Sequence, residues 1–306
     1  MNYSEAKKLF EKPLEKLFSE ARSISDKKIT FYKNAFVPIS ITGEKCELNC
    51  KHCSKIYLKH MLKAENQKSL INLCLKLQNL GNRGIVLSGG CTKEGIVPLH
   101  KFSNAIRRIK EETSLITLAH TGVVDYNKAK LLGEAGLDGA LVDVVGSSLT
   151  TKEIFGIEIC PNQYVKTLKA LNASKIRKIS PHIIVGLHYG KIRGEIKALS
   201  LLKNTRLDTI VIVVLIPTKA TPLENIKPPS PEDVGRIVAI AKLMYPDIHI
   251  SLGCVRPGGI YRGKIDEFAI KAGASKVAIP STKAKLVAKE LGLKIKEYEQ
   301  MCCGWI

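Results

Sequence analysis

Three cysteines stand close together near residue 50, in the spacing Cys46-x3-Cys50-x2-Cys53. Thiolates are soft metal ligands, and three of them on one short loop can hold three corners of a cubane iron-sulfur cluster. The fourth iron is then open to an exogenous ligand, which makes it reactive. The alternative is zinc, but a closed zinc site needs a fourth protein ligand, and no second paired motif lies nearby. The spacing therefore predicts a reactive 4Fe-4S cluster.

The other cysteines suggest a second site. The chain has 9 cysteines, an odd count, and clustered cysteines in a reducing compartment are more often metal ligands than disulfides. Cys91 and Cys254 follow predicted strands, and Cys302-Cys303 lies in the sequence Met-Cys-Cys-Gly-Trp-Ile. If residues 293–306 fold back over the strand ends, these four could bind an auxiliary iron-sulfur cluster. The alternative is that they are core residues, and one of the adjacent pair could be idle in either case.

Short β-branched runs alternate with amphipathic segments long enough to be crossover helices, which predicts an α/β fold with a parallel sheet. Eight strand-helix units favour a (βα)8 TIM-type barrel, with an open six-stranded sheet as the alternative. We expect an N-terminal helical extension over residues 1–35, a barrel over 36–292 and a cysteine-containing C-terminal tail over 293–306. The eight predicted strands are Phe36–Thr42, Gly84–Ser88, Leu115–Ala119, Gly139–Val145, Ser180–Leu187, Thr209–Ile216, Ile248–Leu252 and Lys276–Ile279.

Composition narrows the class of partner. With 306 residues and 45% hydrophobic content the chain can bury a full core, and its longest apolar run is too short to cross a membrane. We expect a cytoplasmic protein that does not bind membranes. The formal net charge of +20 would attract an acidic partner or nucleic acid. The lysines are dispersed without interleaved aromatic residues, which disfavours nucleic acid and also fits a solvated surface.

The cysteine spacing resembles the signature of the radical S-adenosylmethionine (SAM) superfamily. His52 stands at the position before the third cysteine, where that superfamily usually has an aromatic ring near the adenine of SAM. Ser88-Gly89-Gly90, after the second predicted strand, is similar to the glycine motif that approaches the methionine moiety. The resemblance implies that the cluster binds SAM and reduces it to a 5′-deoxyadenosyl radical.

Within that superfamily the chain resembles biotin synthase, on four landmarks in the same order. The resemblance places Asp143 where the family has an asparagine facing the cofactor ribose, and it adds Gly186 to the cofactor-binding residues. Leu87, Leu118 and Ser180 replace ligands of the family's sulfur-donating cluster, and Cys254 replaces its arginine, so biotin formation is disfavoured. The landmarks are Ala135–Asp138, Ile184–Leu187, Thr221–Asn225 and Ile240–Pro246.

A finer resemblance is to the archaeal-type lipoyl synthases, in which two such proteins together insert sulfur into a protein-bound octanoyl chain. It implies a reductant such as ferredoxin or flavodoxin, an acidic lipoyl-carrier protein and a sister radical SAM subunit as partners. The alternatives are methylation, rearrangement or oxidation of a small molecule with a single cluster. A basic RNA-binding or RNA-modifying protein and a zinc protein are alternatives of other classes. No catalytic side chain is assigned.

Overall fold

The computed structural model describes residues 1–305, which form one parallel sheet flanked by helices. Eleven strands are found in these residues: Lys28–Asn34 (β1), Val37–Ser40 (β2), Leu62–Lys63 (β3), Gly84–Ser88 (β4), Ile116–His120 (β5), Gly139–Asp143 (β6), Lys178–Val185 (β7), Thr209–Val214 (β8), His249–Leu252 (β9), Lys276–Ala278 (β10) and Lys294–Gln300 (β11). All eight predicted strands are present, as β2 and β4 to β10. Their ends differ from the predicted ends by a few residues.

Two helices precede β1, and the other helices lie between consecutive strands. They are Tyr3–Phe10 (α1), Leu14–Ser23 (α2), Ile56–Lys59 (α3), Gln67–Asn79 (α4), Ser103–Glu112 (α5), Tyr126–Glu134 (α6), Ser148–Thr150 (α7), Pro161–Asn172 (α8), Glu195–Leu201 (α9), Pro231–Met244 (α10), Gly259–Lys271 (α11) and Thr282–Glu290 (α12). A 3-10 turn spans Leu99–Phe102 and a π-helical turn spans Thr151–Phe155. In the described residues, no helix is long and apolar enough to span a membrane.

The strand order is β11-β1-β10-β9-β8-β7-β6-β5-β4-β2-β3, and every pair of neighbours is parallel. The carboxyl ends of the strands therefore share one edge, where parallel α/β barrels place their sites. The predicted TIM-type α/β fold is confirmed, in the form of a half-barrel whose sheet has β3 and β11 at its edges. Residues 28–34, assigned to the helical extension from sequence, instead form β1 beside β10 and β11.

Two cores hold the sheet. The larger one packs helices against the outer face, and the second lies on the concave face, which we call the lumen. The lumenal core combines inward side chains of the strands with the residues that follow β11. Its buried members are Tyr32, Phe36, Leu118, Leu141, Val211, Val213, Ala278, Met301, Cys302 and Cys303.

The segment after β11 lies within the lumen. Met301 donates its backbone N–H to the carbonyl of Asn34 at 3.0 Å, and the Ser180 hydroxyl donates to the carbonyl of Gly304 at 2.6 Å. Trp305 packs its ring under the Arg177 guanidinium, 5.7 Å from the ring centroid. These contacts fix Cys302 and Cys303 on the concave face of the sheet.

A buried carboxylate ties the amino-terminal ends of three strands together. Asp138 accepts hydrogen bonds from Lys110 Nζ at 2.6 Å and the Thr117 backbone N–H at 2.8 Å, and it also pairs with Arg177. Burial alone would raise the pKa of Asp138, but these bonds outweigh it and hold the pKa below its ordinary 3.8. Asp138 therefore stabilises the fold in its ionised form.

We expect Asp138→Asn to lower the free energy of unfolding at pH 7 by about 2 kcal/mol, because it leaves the partly buried Lys110 ammonium and the buried Thr117 donors without their charged partner. A depressed carboxyl pKa contributes stability above its unfolded value that disappears as pH falls through the folded value, so the deficit should shrink below pH 3.8. Denaturant unfolding at neutral and acidic pH measures this. A deficit that stays constant through the acid range would contradict the role of the ionised carboxylate.

Candidate functional site

The three predicted cysteines lie together in a cavity at the carboxyl edge of the sheet. The cavity has a volume of about 230 Å³ and is lined by Cys46, Cys50 and Cys53. Because β2 pairs with β4 in register from Val37↔Ile85 to Ser40↔Ser88, the cysteine loop after β2 lies beside the glycines after β4. Sheet topology thus brings together the two motifs that the sequence separates by more than thirty residues.

The cysteine loop is shaped by its own backbone and by the π-helical turn. The N–H groups of Cys53 and Ser54 both donate to the carbonyl of Cys50, at 3.1 and 2.8 Å, and Lys51 N–H donates to Ile154 O at 2.7 Å. Ser54 and Lys55 have left-handed backbone with φ of 42° and 66°. The loop is therefore tightly turned, and its three thiols face one cavity.

The thiols differ in how easily they lose a proton. Hydrogen bonding with Cys50 lowers the pKa of Cys53 to about 7, despite burial, with further help from Lys55. The same contact, together with burial, raises the pKa of Cys50. The first negative charge of the pair therefore falls on Cys53, which is ready to bind a metal at neutral pH.

His52 has the surroundings of a neutral ring. Burial lowers its pKa to about 4, and its ring lies 5.5 Å from that of Phe155 between centroids. Its Nδ1 is buried without a hydrogen-bond partner in the described residues. A buried polar atom without a partner is unusual in a folded protein, and this one belongs to a ring that lines the cavity.

Ser88, Gly89 and Gly90 also line the cavity. A Cβ atom on Gly90 would lie 2.0 Å from Lys45 O and 2.5 Å from Cys46 Cα, so only glycine lets the two loops meet. Gly90 N–H donates to the Thr42 hydroxyl at 2.7 Å.

Asp143 and Gly186 have different positions. Asp143 lines the cavity from the end of β6 with an exposed carboxylate, 3.9 Å from His120 Nδ1. Gly186 does not line it: its N–H donates to the buried Glu195 carboxylate at 2.9 Å, and a Cβ there would lie 2.6 Å from Pro229. The structure therefore gives Gly186 a packing role behind the wall of the cavity.

The four cysteines that the sequence groups in a second site fall in two places. Cys254, Cys302 and Cys303 share the lumenal core. Cys91 lies instead in the first cavity beside Cys46. In residues 1–305, the lumenal thiols do not come within 4.8 Å of one another as a trio, whereas the ligand atoms of Cys50, His52 and Cys53 do.

Cys254 is held by a buried ion pair. Arg256 Nε donates to Asp266 Oδ1 at 2.8 Å, and both side chains are 0% exposed. The same guanidinium donates to Gly253 O and to Ala278 O at 2.8 Å. This pair fixes the loop after β9 against the end of β10.

Sequence reasoning missed His182, whose ring lies beside that of His120 on the concave face of the sheet. His120 and His182 lie 5.1 Å apart between ring centroids, and His182 is buried with its pKa lowered to about 4 by burial. The alternation of Ser180, His182 and Ile184 along β7 was the signal that could have placed His182 on the concave face.

The chain is similar in sequence to biotin synthases. It is 31% identical over 178 residues to biotin synthase of Thermodesulfovibrio yellowstonii, covering 56% of this chain and 53% of that protein. Identity to the Buchnera aphidicola enzyme is 27% over 265 residues, or 82% and 74% of the two chains. The alignment thus spans about half the length of the first relative. No family model matches the chain.

Two solved structures share the fold at low identity. Methylornithine synthase superposes with a TM-score of 0.67 at 17% identity, over 96% of this chain and 94% of that one. HydG, a maturase of the [FeFe]-hydrogenase, superposes with a TM-score of 0.71 at 14% identity, over 97% and 72%. At this identity the two likenesses show the fold alone. The thiols of the cysteine loop and the close glycine contact fit the 4Fe-4S cluster and SAM that the sequence leads us to expect.

Gly90→Ala should disrupt the site without unfolding the sheet, because its new methyl group must displace the backbone of Lys45 and Cys46. We expect iron affinity to fall by about tenfold or more, the usual effect of displacing ligand-supporting groups. Iron content after anaerobic reconstitution and desalting measures this. Gly258→Ala is the matched control, since no heavy atom lies within 4 Å of its added Cβ. Equal iron retention in the two variants would contradict the glycine's role.

Proposed function

We propose that this protein is a radical SAM enzyme that forms carbon-sulfur bonds, in the manner of a lipoyl synthase. The observation that carries the proposal is the grouping of Cys46, Cys50 and Cys53 in one cavity at the carboxyl edge of a parallel sheet. A four-iron cluster bound there would supply the electron that cleaves SAM to methionine and a 5′-deoxyadenosyl radical.

The residues around the cluster hold and orient the cofactor. Gly89 and Gly90 line the cavity beside the cysteine loop, where their backbone would face a bound methionine moiety, and Asp143 offers an acceptor for ribose hydroxyls. His52 Nδ1 would accept a hydrogen bond from the bound nucleoside. Ile157, Ile159 and Ile184 add apolar surface to the wall, which would help to exclude water from a radical.

The lumenal cysteines support sulfur insertion as the reaction. Cys254, Cys302 and Cys303 lie on the concave face, towards which a barrel enzyme directs its substrate. A second iron-sulfur cluster on these thiols would provide sulfide for the substrate carbon. Burial and the bond with Cys303 raise the pKa of Cys254, so its thiolate would form together with metal binding.

The partners follow from this reaction. A ferredoxin or flavodoxin would supply electrons in a reducing cytoplasm, and a sister radical SAM subunit would share the two insertions. The net charge of +20 suits an acidic carrier domain that presents the octanoyl chain.

A single-cluster enzyme is the second candidate function, and one observation favours it. The lumenal thiols are packed in an apolar core and are not gathered as a trio within 4.8 Å in the described part of the chain. If they only pack, the radical would serve a rearrangement, methylation or oxidation of a small molecule.

Iron counting separates the two candidates. Anaerobically reconstituted protein should hold about eight irons with two cubanes and about four with one. We expect Cys254→Ala with Cys303→Ala to fall from eight to four while deoxyadenosine formation from SAM persists. Cys160→Ser, at an exposed thiol, is the control. If the double variant keeps the full iron content of the parent, the proposal that these thiols hold a second cluster is wrong.

The reaction itself is tested with an octanoylated carrier domain, SAM and a strong reductant under anaerobic conditions. Because the proposed product contains new carbon-sulfur bonds, mass spectrometry of the carrier should show gain of sulfur. The same assay is repeated with the sister subunit added, because the reaction could need both proteins. If deoxyadenosine forms but the carrier gains no sulfur, with or without the sister subunit, the proposed radical chemistry stands and the proposed lipoyl formation is contradicted.

A further inference from the structure

A fourth thiol shares the cavity with the cysteine triplet. Cys91 follows Gly90 directly, lines the cavity and is partly buried. Burial and the neighbouring Cys46 raise its pKa to about 12, with smaller contributions from Asp143 and Cys53. Three thiols suffice to hold the cluster of the proposed function, so Cys91 has no part in the mechanism described above.

The backbone of Cys91 is locked to the cysteine loop. Its N–H donates to Cys46 Sγ at 3.2 Å, and its carbonyl accepts from Glu47 N–H at 2.9 Å. The next turn is fixed as well, because Lys93 N–H donates to Glu47 Oε2 at 3.0 Å. Cys91 therefore keeps its place beside Cys46 whatever else enters the cavity.

We propose that the Cys91 thiolate binds the fourth iron of the cluster when SAM is absent and leaves it when SAM binds. This inference rests on the cluster of the proposed function. Iron-sulfur clusters prefer thiolate ligands, and Cys91 is the further thiol in the cavity wall. Asp143 and His52 also line the cavity, but oxygen and nitrogen donors are the less usual ligands of such clusters.

The exchange involves ligands and one proton but no electron. The iron-sulfur bond to Cys91 would break, bonds from iron to the amino and carboxylate groups of SAM would form, and the proton that the ammonium group of SAM loses on coordination would pass to the released thiolate. In the thiolate-capped state no iron is open, so oxidants and chelators have no exposed iron to remove. The resting cluster would be protected, and SAM would have to compete for its own binding site.

The test compares wild type, Cys91→Ala and Cys91→Ser, each reconstituted anaerobically with its iron content verified. Removing a competing ligand should tighten SAM binding by about tenfold if the open form makes up about one tenth of the wild-type resting state. Equilibrium dialysis with labelled SAM measures this affinity. Weaker or unchanged SAM binding in both variants would overturn the proposal, because a residue that contacts SAM or merely packs would give those results.

Cluster stability provides a readout independent of catalysis. Without SAM, ferricyanide should convert the variant clusters to the three-iron form several times faster than the wild-type cluster. Electron paramagnetic resonance measures the rate of this conversion. With saturating SAM the rates should converge. Cys160→Ser, at an exposed thiol, should behave like wild type in the absence of SAM. Faster conversion in His52→Phe, with no change in the Cys91 variants, would assign the capping ligand to the imidazole.

The result also separates this inference from the proposed function. Wild-type protein that binds no cluster would contradict both. Wild-type protein that cleaves SAM, with variants that match it in affinity and cluster stability, would overturn the capping role alone.

Discussion

A cubane cluster has four irons, and the loop from Cys46 to Cys53 offers thiols to three of them. The chemistry of the site depends on this deficit, because a fully ligated cluster cannot bind a substrate through iron. The fold preserves it by placing the loop where β2 meets β4, so that the glycine backbone of Ser88–Gly90 closes one side of the cavity without adding side-chain bulk. In our proposal, Cys91 supplies a ligand to the fourth iron that SAM can displace.

The concave face of the sheet determines what can reach the radical. Segment 301–305 fills part of the lumen and brings Cys302 and Cys303 under the strands, while the Arg256–Asp266 pair fixes Cys254 on the opposite loop. His120 and His182 lie close together on the same face, 5.1 Å apart between ring centroids. The concave face therefore combines imidazoles and thiols with packed apolar side chains.

Local sequence patterns were sufficient for most of the sheet. Runs such as Thr209–Val214 are buried along their whole length, and continuous β-branched sequence is typical of strands covered on both faces. The edge strand Lys294–Gln300 was missed because its two apolar residues, Ile295 and Tyr298, are three positions apart among charged and polar residues, a spacing that also occurs on a surface helix. The predicted helical extension consists of two helices followed by β1. The strand β1 was missed because lysines at positions 28 and 33 flank its apolar residues, as they would on a surface helix.

Some residues of the candidate site could also be predicted from the sequence, and others could not. The cysteine triplet and Ser88–Gly90 could be predicted because spacing and strand order fix their neighbourhood. Grouping Cys91 with Cys254 could not be tested from sequence, since it depends on which face of the sheet each loop meets after its strand ends. Gly186 shows the limit of resemblance, because its N–H is engaged by Glu195 behind the cavity wall.

The most direct test of the central claim is anaerobic incubation of the reconstituted protein with SAM and dithionite, with chromatographic detection of 5′-deoxyadenosine. An iron left without a protein ligand during turnover predicts deoxyadenosine in the wild type and none in Cys50→Ala. A protein that contains a cubane cluster yet leaves SAM intact under strong reduction would contradict the account.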